Sequence, residues 1–445
     1  MNVMKYVLHL LLLLAAAIGP ASAEAQETDR HIARLLDAGD CFALHEAFSK
    51  MGDSIASPVL RGIAATLTGT WFNRPEEALA AATELLETYG GELGPDNTTS
   101  MVFMSLLDLF MLDRYAEAAE LADGFIAGAG GSLPDGLRFS LEFLRRTGHA
   151  LARHPAPQLV MPDRAASVPY RLDSIGRGRI MTVPVRIGGN IRDFVFDTGA
   201  AQFNFVSEAF ARANGIRIIA DSIPVAGIEW GTVGLGVTDS IEVGGIVMRN
   251  PVFLVSPPDP ATDTIEVISA VLGNAFMRKA GSFAIDNRTR RIVFPAKPTL
   301  HTDGTEETAN MMLNSFQPYI RIFAGDIPLL FHFDTGNVST TCYPSFYEKF
   351  RNEVDARGIR DTVRIGGFAG IVETVCYRMP SLELMLDSIP FTLHDTDVLP
   401  DGGAGAAAGT EYGSLGTDFV TAFDVLTVDY DACRVRGEHR SAANR

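Results

Sequence analysis

Hydrophobic and polar residues change their period along the chain near residue 152. Before that point, apolar residues recur every three or four positions, the spacing of amphipathic helices. After it, short runs rich in Val, Ile and Phe alternate with glycine-containing turns, which is typical of β-strands. The pattern therefore predicts a multidomain protein with an α-helical domain over 24–152 and an all-β region over 168–437.

The clearest predicted helix covers residues 75–89, where Pro75 stands at the first turn and acidic residues follow it. A similar segment covers 115–125, and each of the two follows a more apolar helix, at 59–68 and 100–112. This arrangement resembles degenerate tetratricopeptide-like hairpins, and a generic helical bundle is the alternative. Such a domain could hold a protein partner, shield a cleft or stabilise the rest of the fold.

The first 23 residues have the form of a secretory signal peptide. Lys5 precedes an apolar stretch over 7–18, and Ala21-Ser22-Ala23 supplies small residues for cleavage near Ala23. The first cysteine is Cys41, too distant for a lipid anchor, and no later stretch is long and apolar enough to span a membrane. We therefore expect an exported protein, periplasmic or secreted, without a membrane span.

Composition fits a globular protein, with 47% hydrophobic and 20% charged residues. A formal net charge of −17 argues against nucleic acid and anionic membranes as partners. Four cysteines are too few for a disulfide scaffold. Three of them, Cys342, Cys376 and Cys433, lie in the second part of the β region, where we expect one bridge and one remaining thiol, with Cys41 alone; the pairing stays open. The histidines are scattered and no metal-binding motif is present, so no metal or other cofactor is expected.

The β region contains an internal duplication centred on two Asp-Thr-Gly triplets, Asp197–Gly199 and Asp334–Gly336. Residues 183–197 align without a gap on 320–334, and each segment predicts a strand, a tight turn and a second strand that ends at the aspartate. Farther on, each copy has an apolar-Gly element, at Gly273 and Gly416, followed thirteen residues later by Asp286 or Asp429, which we interpret as turn residues. The predicted boundaries are a linker over 153–167, a first lobe over 168–296, an interlobe linker over 297–312, a second lobe over 313–437 and a tail over 438–445.

Two aspartates brought together by a duplication have a definite chemistry. Carboxyls about 3 Å apart cannot both ionise cheaply, so one keeps its proton and the pair titrates as a unit. Such a pair holds a base and an acid at once, which is what peptide hydrolysis by an activated water requires.

From roughly Ser167 to Gly437 the chain resembles the pepsin/retropepsin superfamily of aspartic peptidases, whose fold has two related barrel-like lobes. The resemblance implies that Asp197 and Asp334 form the catalytic dyad. It implies that Thr198 and Thr335 cross-link the two loops, and that Gly199 and Gly336 let backbone amides approach the carboxyls. Ala200 matches the retroviral pattern. Asn337 departs from the Ser or Thr that pepsin-like chains prefer there, and its amide offers a substitute donor for the outer oxygen of Asp334.

Three other residues are candidates for the site. Trp230, within 225–234, and Phe368, within 365–371, lie in glycine-rich segments that predict substrate-covering flaps, or alternatively they pack on the barrels. His332 is placed on the same strand face as Asp334 or near it. There it either tunes the dyad or is a partly buried histidine with its hydrogen bonds satisfied.

The sequence thus predicts an exported, single-chain aspartic endopeptidase that acts on a peptide or protein substrate. Two alternatives remain: a catalytically silent peptide-binding protein of the same fold, and an envelope scaffold that acts through its helical domain.

Overall fold

The computed structural model describes residues 23–129, 131, 133–226, 230–258, 269–296, 308–367, 370–401 and 411–439. The predicted signal segment before residue 23 and most of the predicted interlobe linker lie outside these ranges. The described chain divides into two compact units. One contains the residues up to His154 together with 308–315, and the other contains the remaining residues from Pro155 onward.

The amino-terminal unit is helical, and the helices predicted from the sequence lie within it. Its elements are α1 (Ala23–Ala38), α2 (Cys41–Met51), α3 (Pro58–Trp71), α4 (Pro75–Met111), α5 (Tyr115–Ala129) and α6 (Asp135–Leu151), with one short strand, β15 (Met311–Asn314). Helix α4 spans two of the predicted helices, 75–89 and 100–112. No loop separates them: the chain has only a kink at Gly94, whose φ is 70°, followed by Pro95.

Small residues set the distance between neighbouring helices in this unit. A Cβ on Gly69 of α3 would lie 2.7 Å from the Cβ of Ala78 in α4. A Cβ on Gly148 of α6 would lie 2.9 Å from the carbonyl oxygen of Tyr115 in α5. Each pair of helices therefore packs at a distance that only glycine permits at these points. Among the described residues, no helix is long and apolar enough to cross a membrane.

The second unit is rich in β-strands and contains a few short helices. Its strands are β1 (Gln158–Val160), β2 (Ala166–Pro169), β3 (Arg171–Ile175), β4 (Gly178–Ile187), β5 (Asn190–Phe196), β6 (Asn204–Ser207), β7 (Arg217–Ala226), β8 (Trp230–Val237), β9 (Ser240–Val243), β10 (Ile246–Arg249), β11 (Val252–Ser256), β12 (Ala270–Leu272), β13 (Ser282–Asp286), β14 (Arg291–Phe294), β16 (Gln317–Ala324), β17 (Ile327–Phe333), β18 (Thr341–Cys342), β19 (Ile359–Gly367), β20 (Gly370–Leu386), β21 (Ile389–Val398), β22 (Glu411–Leu415), β23 (Val425–Asp429) and β24 (Arg434–Glu438). Its helices are α7 (Glu208–Ala213), α8 (Asn274–Ala280), α9 (Pro344–Arg357) and α10 (Thr417–Thr421).

These strands form three sheets, which follow the duplication. Strands of the first half, before residue 297, form a sheet in the order β1-β10-β9-β4-β5-β12-β6-β11-β8-β7, with β3 beside β4. Strands of the second half, from residue 316, form a sheet in the order β16-β17-β22-β18-β21-β20-β19. The third sheet, in the order β2-β14-β13-β23-β24, takes strands from both halves. Within it, β13 pairs with β23 antiparallel, in a register that sets Ala284 against Thr427.

The strand–turn–strand unit predicted before each aspartate is present in both halves. In the first half β4 pairs with β5, and the turn between them uses positive φ angles at Gly188 and Gly189, a conformation that glycine adopts without strain. In the second half β16 pairs with β17 around Gly325, whose φ is 58°. Each hairpin delivers an Asp-Thr-Gly triplet at the end of its second strand.

The predicted disulfide in the second half is absent. All four cysteines are free and buried. The thiols of Cys41, Cys376 and Cys433 lie near different oxygen atoms, those of the Gly39 carbonyl, the Asp397 carboxyl and the Tyr430 carbonyl. The expectation was wrong because these cysteines are packed in the interior as small apolar groups, with no bond between any two of them.

We expect alkylation to detect four thiols. Unfolded in denaturant without a reductant, the protein should take up four alkyl groups, whereas a bridge would leave two sulfurs unlabelled. Labelling of the folded protein should be slow, because burial raises the pKa of Cys41 and of Cys376 to about 12 and only the thiolate reacts. Intact-mass spectrometry of unreduced and pre-reduced samples makes the comparison, and a difference between them would contradict the free-thiol assignment.

Candidate active site

Each aspartate of the two triplets is placed by a strand and held by a second element that runs beside it. Strand β5 leads to Asp197 and pairs parallel with β12, while β17 leads to Asp334 and pairs parallel with β22. The backbone N–H of Asp197 donates to the carbonyl of Leu272 at 3.1 Å, and that of Asp334 donates to the carbonyl of Leu415 at 3.0 Å. The apolar-Gly elements of the sequence are therefore the supports of the two aspartate loops.

The glycine that ends each apolar-Gly element passes directly against the loop after the triplet. A Cβ on Gly273 would lie 2.2 Å from the carbonyl oxygen of Phe203, and one on Gly416 would lie 2.8 Å from that of Asn337. The next residue in each case donates its backbone N–H into the same loop, Asn274 to Ala200 at 2.8 Å and Thr417 to Asn337 at 2.9 Å. Only a residue without a side chain fits between the two segments.

The two triplets lie against each other. A Cβ on Gly199 would be 2.4 Å from Cγ of Asp334, and one on Gly336 would be 2.4 Å from Cγ of Asp197. The carboxyls of Asp197 and Asp334 also hydrogen-bond to each other. The structure thus brings together the two aspartates that the duplication predicted would share one site.

The threonines of the triplets cross-link the two loops. Thr198 donates its hydroxyl to the carbonyl of Phe333 at 2.7 Å and accepts the backbone N–H of Thr335 at 3.0 Å. Thr335 makes the two equivalent bonds from the other loop. Its hydroxyl donates to the carbonyl of Phe196 at 2.6 Å and accepts the backbone N–H of Thr198 at 3.0 Å. Both side chains are fully buried, so these four bonds lie where unsatisfied groups would be costly.

Backbone amides fix one oxygen of each carboxyl. Oδ1 of Asp197 accepts from the N–H of Gly199 at 2.7 Å and from that of Ala200 at 3.0 Å. Oδ1 of Asp334 accepts from Gly336 at 2.9 Å and from Asn337 at 3.2 Å. The same oxygen of each carboxyl is therefore held by two backbone amides in each half.

The site holds a proton strongly. Burial, the charge of Asp334 and the hydrogen bond that Asp197 donates to Asp334 raise the pKa of Asp197 well above its ordinary value, against the opposing effect of the backbone amides. Burial also raises the pKa of Asp334, although its bonds from Asp197, Gly336 and Asn337 lower it in part. One proton shared by the two carboxyls is the consequence.

Two residues beside Asp334 differ from their sequence-based interpretation. The side-chain amide of Asn337 lies 3.4 Å from the hydroxyl oxygen of Ser414, so the substitute donor expected for Asp334 is directed elsewhere. His332 has its Nδ1 3.5 Å from the same hydroxyl, and its buried Nε2 has no hydrogen-bond partner among the described residues. The histidine is thus not a fully satisfied one.

Sequence reasoning missed the polar residues around this histidine. The side-chain amide of Gln317 donates to the carbonyl of Gly199 at 2.6 Å, and Tyr319 packs on His332 with ring centroids 5.1 Å apart. Extending the gapless alignment by three residues would have set Gln317 against Ile180 and Tyr319 against Thr182. Polar residues that replace smaller or apolar counterparts in one copy of a duplication were the available signal.

The candidate flap residues cannot be placed against the dyad. Strands β7 and β8 form a hairpin, and so do β19 and β20. Both tips, at 227–229 and 368–369, lie outside the described residues, as do the side chain of Trp230 and all of Phe368. Among the residues that the structure describes, no group of three or more His, Cys, Asp or Glu side chains is arranged to hold a metal ion.

Comparison with known proteins supports the class of protein that this geometry indicates. A model of the aspartyl protease family matches residues 183–276, which include the first triplet and its apolar-Gly element. The match supports placing this part of the chain in the aspartic protease superfamily. No curated protein sequence matches the chain significantly.

Solved structures that match part of the chain include plant and bacterial proteins. Conglutin gamma, a basic 7S globulin from lupine seeds, has 13% identity, covers 61% of this chain and 94% of its own, and has a TM-score of 0.39. Basic 7S globulin from soybean has 12% identity, covers 64% and 98%, and has a TM-score of 0.35. A retropepsin-like aspartic protease from Rickettsia conorii has 13% identity, covers 31% and 92%, and has a TM-score of 0.21. Identities and TM-scores this low transfer no activity from those proteins to this one.

Proposed function

We propose that this protein is an exported aspartic endopeptidase that hydrolyses peptide bonds with a water activated between Asp197 and Asp334. The observation that carries the proposal is the hydrogen-bonded pair of carboxyls, held by two loops with matching bonds. A turn aspartate needs only its local amides. Two aspartate loops that are cross-linked through Thr198 and Thr335 do more than this, because they hold the two carboxyls beside each other.

The shared proton gives each carboxyl a role. The ionised carboxyl takes a proton from the water as its oxygen attacks the peptide carbonyl carbon, while the protonated carboxyl hydrogen-bonds the carbonyl oxygen, where negative charge develops. The tetrahedral intermediate then breaks its C–N bond as a carboxyl protonates the leaving nitrogen. At the end the pair again holds one proton, so the cycle needs no further group.

The two halves of the β-rich unit are, in this proposal, the two lobes of the enzyme, with the dyad between them and the hairpins β7–β8 and β19–β20 as flaps. The substrate is a peptide or protein. Residues 1–23 act as the signal peptide and direct the chain to the periplasm or the exterior. The helical unit offers a surface for a protein partner.

The direct test is hydrolysis of a peptide library by the purified mature protein, with and without the aspartic-peptidase inhibitor pepstatin. Pepstatin-sensitive cleavage supports the proposal. Saturable peptide binding without cleavage would replace it with a silent peptide-binding protein. Inhibition by EDTA that zinc reverses would replace the mechanism with that of a metallopeptidase. Loss of function in the cell on deletion of 24–152, with no loss on removal of the dyad, would favour the envelope scaffold.

The pH dependence of kcat/KM should be bell-shaped. Below the first ionisation of the pair no base is present, and above the second no acid is present, so both limbs belong to the pair. Because burial and mutual charge raise the pKa of Asp197, the alkaline limb should lie clearly above the ordinary aspartate value of 3.8. Initial rates across pH 2 to 9 measure both limbs, and an alkaline limb at an ordinary aspartate pKa would contradict the shared proton.

A further inference from the structure

The surroundings of the two aspartates differ although their loops match. Beside Asp334, the row of residues across neighbouring strands is polar: Tyr319 of β16 pairs with His332 of β17, which pairs with Ser414 of β22. Beside Asp197, the equivalent row is Thr182, Val195 and Val271. Val195 and Val271 belong to a buried apolar cluster with Ile180. The first half can therefore be compared with the second, because Val195 occupies the position that corresponds to His332.

His332 is placed to act on the dyad. Side chains two residues apart along an extended chain point to the same face, so His332, near the end of β17, lies on the same side as Asp334, which follows the strand. Burial lowers the pKa of His332 to about 4, and the negative charge of Asp197, from the other half, opposes part of that lowering. Thermodynamic coupling is reciprocal, so a proton on His332 lowers the pKa of the carboxyl pair by the same amount.

A second connection runs through Ser414. Its hydroxyl lies 3.5 Å from Nδ1 of His332 and 3.4 Å from the side-chain amide nitrogen of Asn337, at the outer limit for hydrogen bonds. The backbone N–H of Asn337 in turn donates to Oδ1 of Asp334. The orientation of the imidazole is thus linked to the loop that holds one carboxyl.

Other titratable groups line the same region. Tyr319 hydrogen-bonds to the buried carboxyl of Glu411 on β22, and Tyr343, which precedes α9, hydrogen-bonds to Ser414. Burial raises the pKa of both tyrosines far above the working range, so they stay neutral. The groups that carry or gain a charge around the His332 ring are therefore His332 itself, Glu411 and the two aspartates of the dyad.

We propose that His332 is a positioning residue of the dyad, which sets the acid limit of activity by becoming cationic beside the carboxyl pair. The kinetic part of this inference rests on the proposed peptidase function. When His332 gains a proton at low pH, its charge stabilises the singly ionised pair and keeps the base available. The buried Nε2, which has no partner in the part of the chain that the structure describes, delays that protonation until the pH approaches the acid limb.

Kinetics of His332→Val and His332→Gln test the proposal. Valine is the residue found at the corresponding position of the first half, and glutamine is polar but does not titrate. If one variant fails to fold, the other still tests the proposal. Both should move the acid limb of kcat/KM upward by about half a pH unit or more, while the maximum of kcat/KM changes less than about tenfold. His439→Gln is the matched control, because this exposed histidine of the second half stacks on Phe423 and hydrogen-bonds to the carbonyl of Pro390, and both limbs of this variant should stay in place. If the acid limb of kcat/KM in both His332 variants coincides with that of the wild type, the proposal is overturned.

A measurement without catalysis separates this inference from the proposed function. NMR titration gives the pKa of His332 in the wild type and in the double variant Asp197→Asn/Asp334→Asn, which removes the charge of the pair. The pKa of His332 should fall by about half a unit or more in the double variant. A fall in a protein that cleaves nothing would refute only the peptidase. An unchanged pKa in an active peptidase would refute only the role of His332.

Discussion

Asp197→Asn and Asp334→Asn should each abolish peptide hydrolysis. Asparagine has nearly the same shape as aspartate and preserves most contacts, but it neither accepts the proton of the water nor carries the shared proton. Because the two carboxyls act as one unit, either change alone removes both the acid and the base function. We expect a loss of about a thousandfold or more in kcat/KM, equivalent to ~4 kcal/mol of transition-state stabilisation.

The same variants should fold. The raised pKa of each carboxyl means that the folded protein binds protons more tightly than the unfolded chain. The free energy of unfolding therefore falls as pH rises from the ordinary aspartate pKa through the pKa of the folded state. Replacing one carboxyl removes this repulsion, and the thermal midpoint at pH 7 should equal or exceed that of the wild type. Retention of more than about a tenth of kcat/KM by either variant would refute the shared dyad. A large drop in the midpoint would mean that the aspartates hold the loops together.

Gly199→Ala and Gly336→Ala should cause the second-largest loss. The new methyl group of either variant would begin 2.4 Å from the carboxyl carbon of the opposite aspartate, so that carboxyl or the loop must move by about 1 Å. A shift of that size in a catalytic group costs about a hundredfold in rate, and overpacking of this kind costs about 1 to 3 kcal/mol of stability. Steady-state kinetics and thermal unfolding measure the two losses separately.

Gly91→Ala is the control for these two variants. Gly91 lies exposed on α4, and a Cβ there meets no atom within 4 Å. Alanine should leave activity unchanged and add slightly to stability, since it favours helix more than glycine does. Wild-type activity in Gly199→Ala or Gly336→Ala would show that the two loops are farther apart than the structure describes.

The parts of the structure that were predictable share one property: they are specified locally and then repeated. The hairpins before Asp197 and Asp334 follow from strand patterns around glycine turns, and the matched copies indicate that both aspartates serve one site. The helix beginning at Pro75 follows from its apolar spacing and its first-turn proline. The threonine cross-links were expected only through the resemblance, because nothing in the spacing of Thr198 or Thr335 specifies their partners.

Other features depend on which distant atoms meet. The sequence places Cys342, Cys376 and Cys433 in one half, but only the folded structure shows that all three are free thiols. Asn337 has an amide of the right length to reach Asp334, yet Ser414, from a strand more than seventy residues later, lies beside it. For His332, the strand pattern predicts the face on which the side chain lies. The lack of a partner for Nε2 among the described residues depends on the folded surroundings of the ring, which the pattern does not specify.

The sheet shared by the two halves has a further consequence. Its central strands pair so that Ala284 stands opposite Thr427, which is its own counterpart in the duplication, so the two halves meet about a local two-fold axis. Between identical subunits such an isologous contact would force every substitution to appear twice. Fusion into one chain removes that restriction, and Val195 and His332 show that the copies have diverged. The protein therefore combines the geometry of a dimer with surroundings that can differ between the two carboxyls.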